Sequence, residues 1–354
     1  MKISVCFIVK NEEKTLMRAL NSIPDDYDVV VVDTGSNDRT VEIAQQRQGV
    51  RIFHFDWSDH FAEARNASIQ YAIGDYIFVM DADEELPLDW EASVKRHLTN
   101  YPNSVSTVCI RNITEGELTA HHMARLFPND SRYSYVGRVH EQLYVDGQLA
   151  VPVRSDITID HYGYANEQFQ LKQKFNRYLE LYEKELNENP NDGYVLYQLG
   201  KLYYSTKQYK EAYIPLVNAV ELQQFDRLYY PPLLIALGYT LKELNQSREA
   251  FDLLEPLLEL YPQFPDLAFL LGSLAMDNGD IEKIELYFKA ALSIGETNRY
   301  TTVVGCGSYR AAHNLGVFYE VFGKAHEAEK YYQIAARENF EPSLLRLKEL
   351  STKS

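Results

Sequence analysis

"DYIFVMDADEEL", residues 75–86, decides the fold. Tyr76–Met80 is an apolar and aromatic run, which predicts a strand buried on both faces. It empties into Asp81, Asp83, Glu84 and Glu85, four carboxylates within five positions. Such a cluster has two readings. It is a solvated turn, or it surrounds something cationic. Oxygen-rich clusters suit Mg²⁺ or Mn²⁺, and ligands of open α/β sheets gather where strands end. An Asp-x-Asp alone is weak evidence, because exposed turns carry it often.

The flanking sequence repeats the pattern. "ISVCFIV" (3–9), "DVVVVD" (28–33) and "VRIFHFD" (50–56) read as strands. "EKTLMRALNSI" (13–23), "DRTVEIAQQR" (38–47) and a segment beginning near Phe61 read as helices. Strands separated by helix-length segments indicate βαβ units and a parallel sheet. Asn11 and Asp38 stand where helix caps are expected. Asp33 and the "KNEE" after strand one add acids and turn formers at the same edge. Beyond about residue 100 the strands look more mixed: "SVSTVCIRNI", "HHMARLF", "EQLYVDG" and "ITIDHYGY".

From about residue 167 the grammar turns helical. Leu-Gly pairs recur at Leu199-Gly200, Leu237-Gly238, Leu271-Gly272 and Leu315-Gly316. Ala212, Ala250, Ile284 and Ala328 follow at one fixed offset, and Ala219, Leu257, Ala291 and Ala335 at another. Fixed internal offsets with variable linkers predict helix-turn-helix repeats of tetratricopeptide type, about four of them. The expected boundary therefore lies at 165/166. The repeats are rich in tyrosine, including Tyr203, Tyr204, Tyr229 and Tyr230. Those rings serve as core, or as faces and hydroxyls for a bound polypeptide. The rival use of the repeats is to form a homo-oligomer.

Composition narrows the class. The 354 residues are 45% hydrophobic and 24% charged, which is globular. A net charge of −16 argues against a large nucleic-acid or anionic-membrane interface. Cys6, Cys109 and Cys306 are scattered, so neither a disulfide framework nor a thiolate zinc site is expected. No stretch of eighteen apolar residues predicts a membrane span. The N-terminal run reads as strand one, not a signal peptide, which makes a cytoplasmic location the expectation.

"CFIVKNEEKTLMRALNSI", "VVVVDTGSNDRTVEIA", "FAEARNASIQYAIGDYIFVMDADEEL" and "GRVHEQL" occur in order. Together they resemble the motifs of family 2 glycosyltransferases with a GT-A fold, over roughly residues 3–165. The resemblance is closer to members with C-terminal tetratricopeptide repeats, including sublancin-type peptide S-glycosyltransferases. Lipopolysaccharide-core glucosyltransferases share part of it. It implies a Rossmann-like GT-A domain (1–165), an all-α repeat solenoid (166–354), a UDP-sugar donor, a divalent metal and inversion at the anomeric carbon. By the same resemblance Val9, Asn11 and Glu12 lie by the nucleoside and Asp33 accepts from the uracil N–H. Arg65 faces the base or the diphosphate. Asp81, with Ala82 beside it, holds the ribose or a metal-bound water, and Asp83 ligates the metal.

His161, before Tyr162-Gly163-Tyr164, matches the late histidine that completes the metal shell in GT-A enzymes, and a neutral imidazole can do so. The alternative is a packed structural histidine. Glu141 is the candidate base, since an inverting transferase needs a carboxylate to take the acceptor's proton. The family usually has an acidic pair here. This chain has His140-Glu141, which leaves open whether His140 helps or only positions a loop. The alternative for Glu141 is an ion pair with Arg138. Arg125 and Arg138 read equally as ligand contacts or as strand-edge charges. His121 and His122 are adjacent on a strand, so they face apart and form no metal site.

Overall fold

The computed structural model describes residues 2–113, 118–162, 167–297, 299–300 and 302–353. The chain divides into two compact units, Met1–Glu185 and Leu186–Ser354.

In the first unit the predicted alternation is present: β1 (Ile3–Val9), α1 (Leu16–Asn21), β2 (Asp28–Asp33), α2 (Thr40–Gln46), β3 (Val50–His54), α3 (Phe61–Gln70) and β4 (Tyr76–Val79). There follow β5 (Glu84–Glu85), α4 (Trp90–Asn100), β6 (Ser106–Ile113), β7 (Leu118–Pro128), β8 (Tyr133–Val136), β9 (Gln142–Val145), β10 (Gln148–Leu149), β11 (Thr158–His161) and α5 (Glu167–Glu188). One sheet runs β3-β2-β1-β4-β7-β6-β11-β5, and β10-β9-β8 form a small antiparallel sheet. β1 through β4 pair in parallel, whereas β7 runs antiparallel to β4 and β6.

Period-two burial explains the apolar runs. Ile3, Val5, Phe7 and Val9 enter one core with Leu16, Leu20, Trp90 and Val94. Cys6, Val30, Val32 and Val79 enter the other with Ala62, Ile69 and Phe127. Both faces are covered, so the central strands carry little polar residue to alternate with.

One local expectation changes. α1 begins at Leu16, not directly after Asn11. Asn11 sits at φ 59° and its Oδ1 accepts from the Asn37 N–H at 2.9 Å, tying the loop after β1 to the loop after β2. Asp38 does receive the Thr40 N–H at 2.9 Å, as a cap would.

The compact units divide between Glu185 and Leu186, so α5 belongs to the first of them through Glu185. Its contacts are the reason: Lys184 pairs with Asp59 at 2.6 Å, and the Arg138 N–H donates to Glu185 at 2.9 Å.

The second unit consists of helix pairs: α6 (Gly193–Ser205) with α7 (Tyr209–Glu221), α8 (Tyr230–Glu243) with α9 (Ser247–Leu254), α10 (Pro265–Asn278) with α11 (Ile281–Ile294), and α12 (Tyr309–Val321) with α13 (Ala325–Ala336). α14 (Glu341–Lys353) follows. The Leu-Gly pairs explain the packing. A Cβ on Gly200 would meet Leu216 at 2.4 Å, on Gly238 Leu254 at 2.6 Å, on Gly272 Phe288 at 2.9 Å and on Gly316 Tyr332 at 2.5 Å. Each glycine thus admits the residue sixteen positions later, so the four repeats share one close helix–helix crossing. No described helix is long and apolar enough to cross a membrane.

Candidate active site

The turn after β4 resolves the crowded carboxylates. The Glu84 N–H donates to the Asp81 carbonyl at 3.1 Å, and the Asp81 N–H to Glu84 Oε2 at 2.7 Å. The chain then doubles back as β5, which pairs antiparallel with β11 and sets Glu84 opposite His161.

Each acid has a basic partner. Arg125 Nη2 donates to Asp81 Oδ2 at 2.6 Å and to Glu84 Oε1 at 3.4 Å. Arg65 reaches Asp81 Oδ1 at 3.5 Å and donates through Nε to Glu141 Oε1 at 2.6 Å. His161 Nε2 and Asp83 Oδ2 lie 3.1 Å apart, and Arg18 stands 3.6 Å from Glu85. Glu84, Arg125, Asp81, Arg65 and Glu141 therefore form one alternating chain of charge. Arg125, Glu84 and Arg65 are buried, Glu141 is nearly so, and the Asp81 side chain is 37% exposed.

The electrostatics follow from this layout. Burial alone would raise the Asp81 pKa, but Arg125 and Arg65 outweigh it and hold the group well below the usual carboxylate range. Burial likewise opposes the Arg125 charge, and Asp81 and Glu84 overcome it. Glu84 is pushed up by its burial, with Arg125 opposing. Glu12 is also pushed up, by burial and by its neighbours Asp83 and Asp81, against a hydrogen bond from Thr15. The His161 pKa is raised by its hydrogen bond to Asp83, with burial opposing.

The other expected residues separate into two groups. Asp33 is buried at the end of β2 and accepts the Gly35 N–H at 3.1 Å and the Ser36 N–H at 3.2 Å. Glu12 is held by its N–H to Thr40 Oγ1 at 2.6 Å. Val9 and Ala82 place their side chains in the apolar core, and the Thr34 N–H and hydroxyl already bond the Val9 carbonyl.

His140 lies at φ 53° and stacks on Tyr178 and Tyr182 of α5. Glu141 takes Arg65 as its partner, not the Arg138 weighed as an alternative. Gly163 and Tyr164 of the "HYGY" motif, and the side chain of His121, lie outside the described residues.

Sequence reading missed the Arg65–Glu141 pair and undervalued Arg125. A lone arginine inside the otherwise apolar "ARLF" run was the available signal, because a buried guanidinium requires a carboxylate. Nothing in the sequence pointed to Tyr178 or Tyr182.

The site's fit to a divalent metal is limited. Among the described residues no group of three His, Cys, Asp or Glu could hold a metal ion. Asp83 and His161 supply two donors side by side. That suffices for an ion of the Mg²⁺ class, which commonly takes one or two carboxylates and completes its shell with water and substrate phosphate. A second feature suits an anion: Arg65 Nη1 is buried with no hydrogen-bond partner among the described residues.

Residues 4–157 match the profile of glycosyl transferase family 2. A TPR repeat-containing protein of Synechococcus elongatus is 36% identical over 214 residues, covering 57% of this chain and 52% of that protein. The SPbeta prophage-derived glycosyltransferase SunS of Bacillus subtilis is 25% identical over 277 residues, covering 76% of this chain and 65% of that one. The chain thus spans between half and two thirds of the length of these relatives. Among solved structures, S. aureus TarS 1–349 in complex with UDP-GlcNAc gives a TM-score of 0.42 at 14% identity, over 96% of this chain and 92% of that one. A TM-score that low supports no inference about this chain. The match to glycosyl transferase family 2 thus covers residues 4–157, and repeated pairs of helices follow in the same chain.

Proposed function

We propose that this chain is an inverting glycosyltransferase of the cytoplasm that moves a sugar from a UDP-sugar to a polypeptide side chain, with Mn²⁺ or Mg²⁺ bound. The observation that carries the reading is the Glu84–Arg125–Asp81–Arg65–Glu141 chain at the ends of the strands, with Asp83 and His161 alongside. Asn11, Glu12 and Asp33 line the nucleoside side, and the backbone at Val9 and Ala82 adds to it. Asp83 and His161 hold the metal. When bound, the metal balances charge on the departing diphosphate. The free Nη1 of Arg65 donates to an anionic oxygen of the donor.

Glu141 takes the proton from an acceptor hydroxyl or thiol. The acceptor atom forms its bond to the anomeric carbon from the face opposite the leaving group. The carbon–oxygen bond to the diphosphate breaks, and the electron pair leaves with UDP. Glu141 is positioned for this by Arg65, which also steadies Asp81. The polypeptide acceptor is assigned to the repeats. There an open groove of about 770 Å³, lined in part by Leu258, Pro262, Tyr287 and Ile294, suits an extended chain.

The test is a donor panel with Mn²⁺ scored for sugar release, alongside calorimetry with UDP. Glu141→Gln is expected to lower turnover by about 10²–10⁴-fold while UDP still binds. Absence of metal-dependent UDP binding in the wild type would point to an inert repeat scaffold. A mass shift on a co-expressed peptide separates a polypeptide acceptor from a saccharide or lipid-linked one.

A further inference from the structure

The loop that carries Glu141 is tied from outside the family 2 match. Gly137 at φ 107° and His140 at φ 53° make it a sharply turned segment. A histidine in left-handed backbone costs about 1–2 kcal/mol, so neighbouring contacts have to hold it. Its ring supplies such contacts. His140 lies 5.7 Å from Tyr178 and 5.9 Å from Tyr182, with interplanar angles of 21° and 12°. The two tyrosines are themselves 6.2 Å apart and nearly parallel at 22°.

Arg138 fastens the same loop twice. Its carbonyl accepts from the Phe61 N–H at 2.8 Å, at the start of the helix that bears Arg65. Its own N–H donates to Glu185 at 2.9 Å. α5 is in turn anchored by the Lys184–Asp59 pair, and by Arg177 over the rings of Trp57 and Phe61 at 5.4 and 5.0 Å. Burial pushes up the Tyr178 hydroxyl. Arg177 opposes that, and Glu141 and Asp81 add to it, so the phenol lies in the field of both carboxylates.

We propose that Tyr178 and Tyr182 of α5, stacked with His140, are positioning residues for Glu141: they hold the 137–141 loop so that the carboxylate meets the acceptor. The proposal rests on the reading of Glu141 as the base. It makes His140 a loop-holding residue and gives α5, beyond residue 157 where the family match ends, a part in the reaction.

The test uses the full chain with His140→Ala, Tyr178→Ala and Tyr178→Phe. Three quantities are measured: sugar release from a UDP-sugar, UDP affinity with Mn²⁺, and hydrogen exchange of the 137–143 segment. Both alanine variants are expected to lose about tenfold or more in turnover, since small misplacements of a reacting group are costly. UDP affinity should stay within about twofold, because the stack acts through Glu141 and not on the nucleotide. Exchange in 137–143 should quicken, and Tyr178→Phe, which keeps the ring, should restore all three to wild type. Wild-type turnover and exchange in the alanine variants would overturn the proposal. So would a Tyr178→Phe variant as impaired as Tyr178→Ala, which would mean that the hydroxyl itself acts on substrate. UDP affinity falling in step with turnover would overturn it too. A wild type that binds no UDP sinks the transferase reading instead, and the exchange data still decide whether the stack holds the loop.

Discussion

The two units hold themselves together in opposite ways. The helical unit repeats one apolar crossing: a glycine in the first helix of each pair admits a Leu, Phe or Tyr from the second. The first unit also buries charge, at Asp28 with Arg51 and above all where Arg65 joins Glu141 from 76 positions away and Arg125 joins Asp81 from 44. A repeated apolar contact is local and tolerates small errors in several copies. A buried charge chain is unique, and each member is costly once its partner goes. The difference lies in burial: the first unit closes its long-range pairs out of solvent, whereas Lys242–Asp277 and Lys283–Glu255 of the helical unit lie partly exposed.

The sharpest way to break that contrast is Arg125→Met. It strands Glu84, whose side chain is 2% exposed, and removes the closest partner of Asp81. A destabilisation of about 3–5 kcal/mol is expected, measured as urea unfolding of the first unit. A loss under about 1 kcal/mol would mean that the charge chain is not what holds this edge.

A buried carboxyl of the helical unit gives the next largest effect. Asp266 is buried and its pKa is pushed up to about 7, chiefly by burial, with the Val303 N–H opposing and Glu296 adding. Arg310 also opposes, and Cys306 and Tyr239 lie in its field. A folded pKa above the unfolded value means that the folded state binds the proton more tightly. Stability from this group is therefore full below about pH 4 and is lost as pH rises through 7. The slope is at most about 1.4 kcal/mol per pH unit. Unfolding of the helical unit between pH 4 and 7 should show it, and Asp266→Asn should flatten it.

The smallest effect sharpens the repeat side. Gly316→Ala would press a methyl to 2.5 Å from the Tyr332 ring, which is fully buried and pinned at its hydroxyl by Glu320. Overpacking costs about 1–3 kcal/mol, and the better helix propensity of alanine returns up to about 1. A lowered midpoint in thermal unfolding is expected. A raised one would mean that the crossing is looser than its spacing implies.

Much of this was legible in advance, for identifiable reasons. The apolar run of Ile3 through Val9 and the Leu-Gly pairs at fixed offsets are short-range patterns that one chain displays directly. Asp83 and His161 were named together as metal ligands, and the structure sets them 3.1 Å apart. Val9 and Ala82 were named with the ligand set, and their side chains belong to the apolar core.

By itself the sequence determined the order of strands and helices, the repeat spacing and the acids crowded after Met80. These depend on neighbours within a turn or a strand. Only the tertiary structure decided that Arg65 would meet Glu141, that Arg125 would bridge Asp81 and Glu84, and that α5 would pack on the first unit. Each is a pairing between distant segments. Its energy depends on shared burial, and a linear pattern does not contain that.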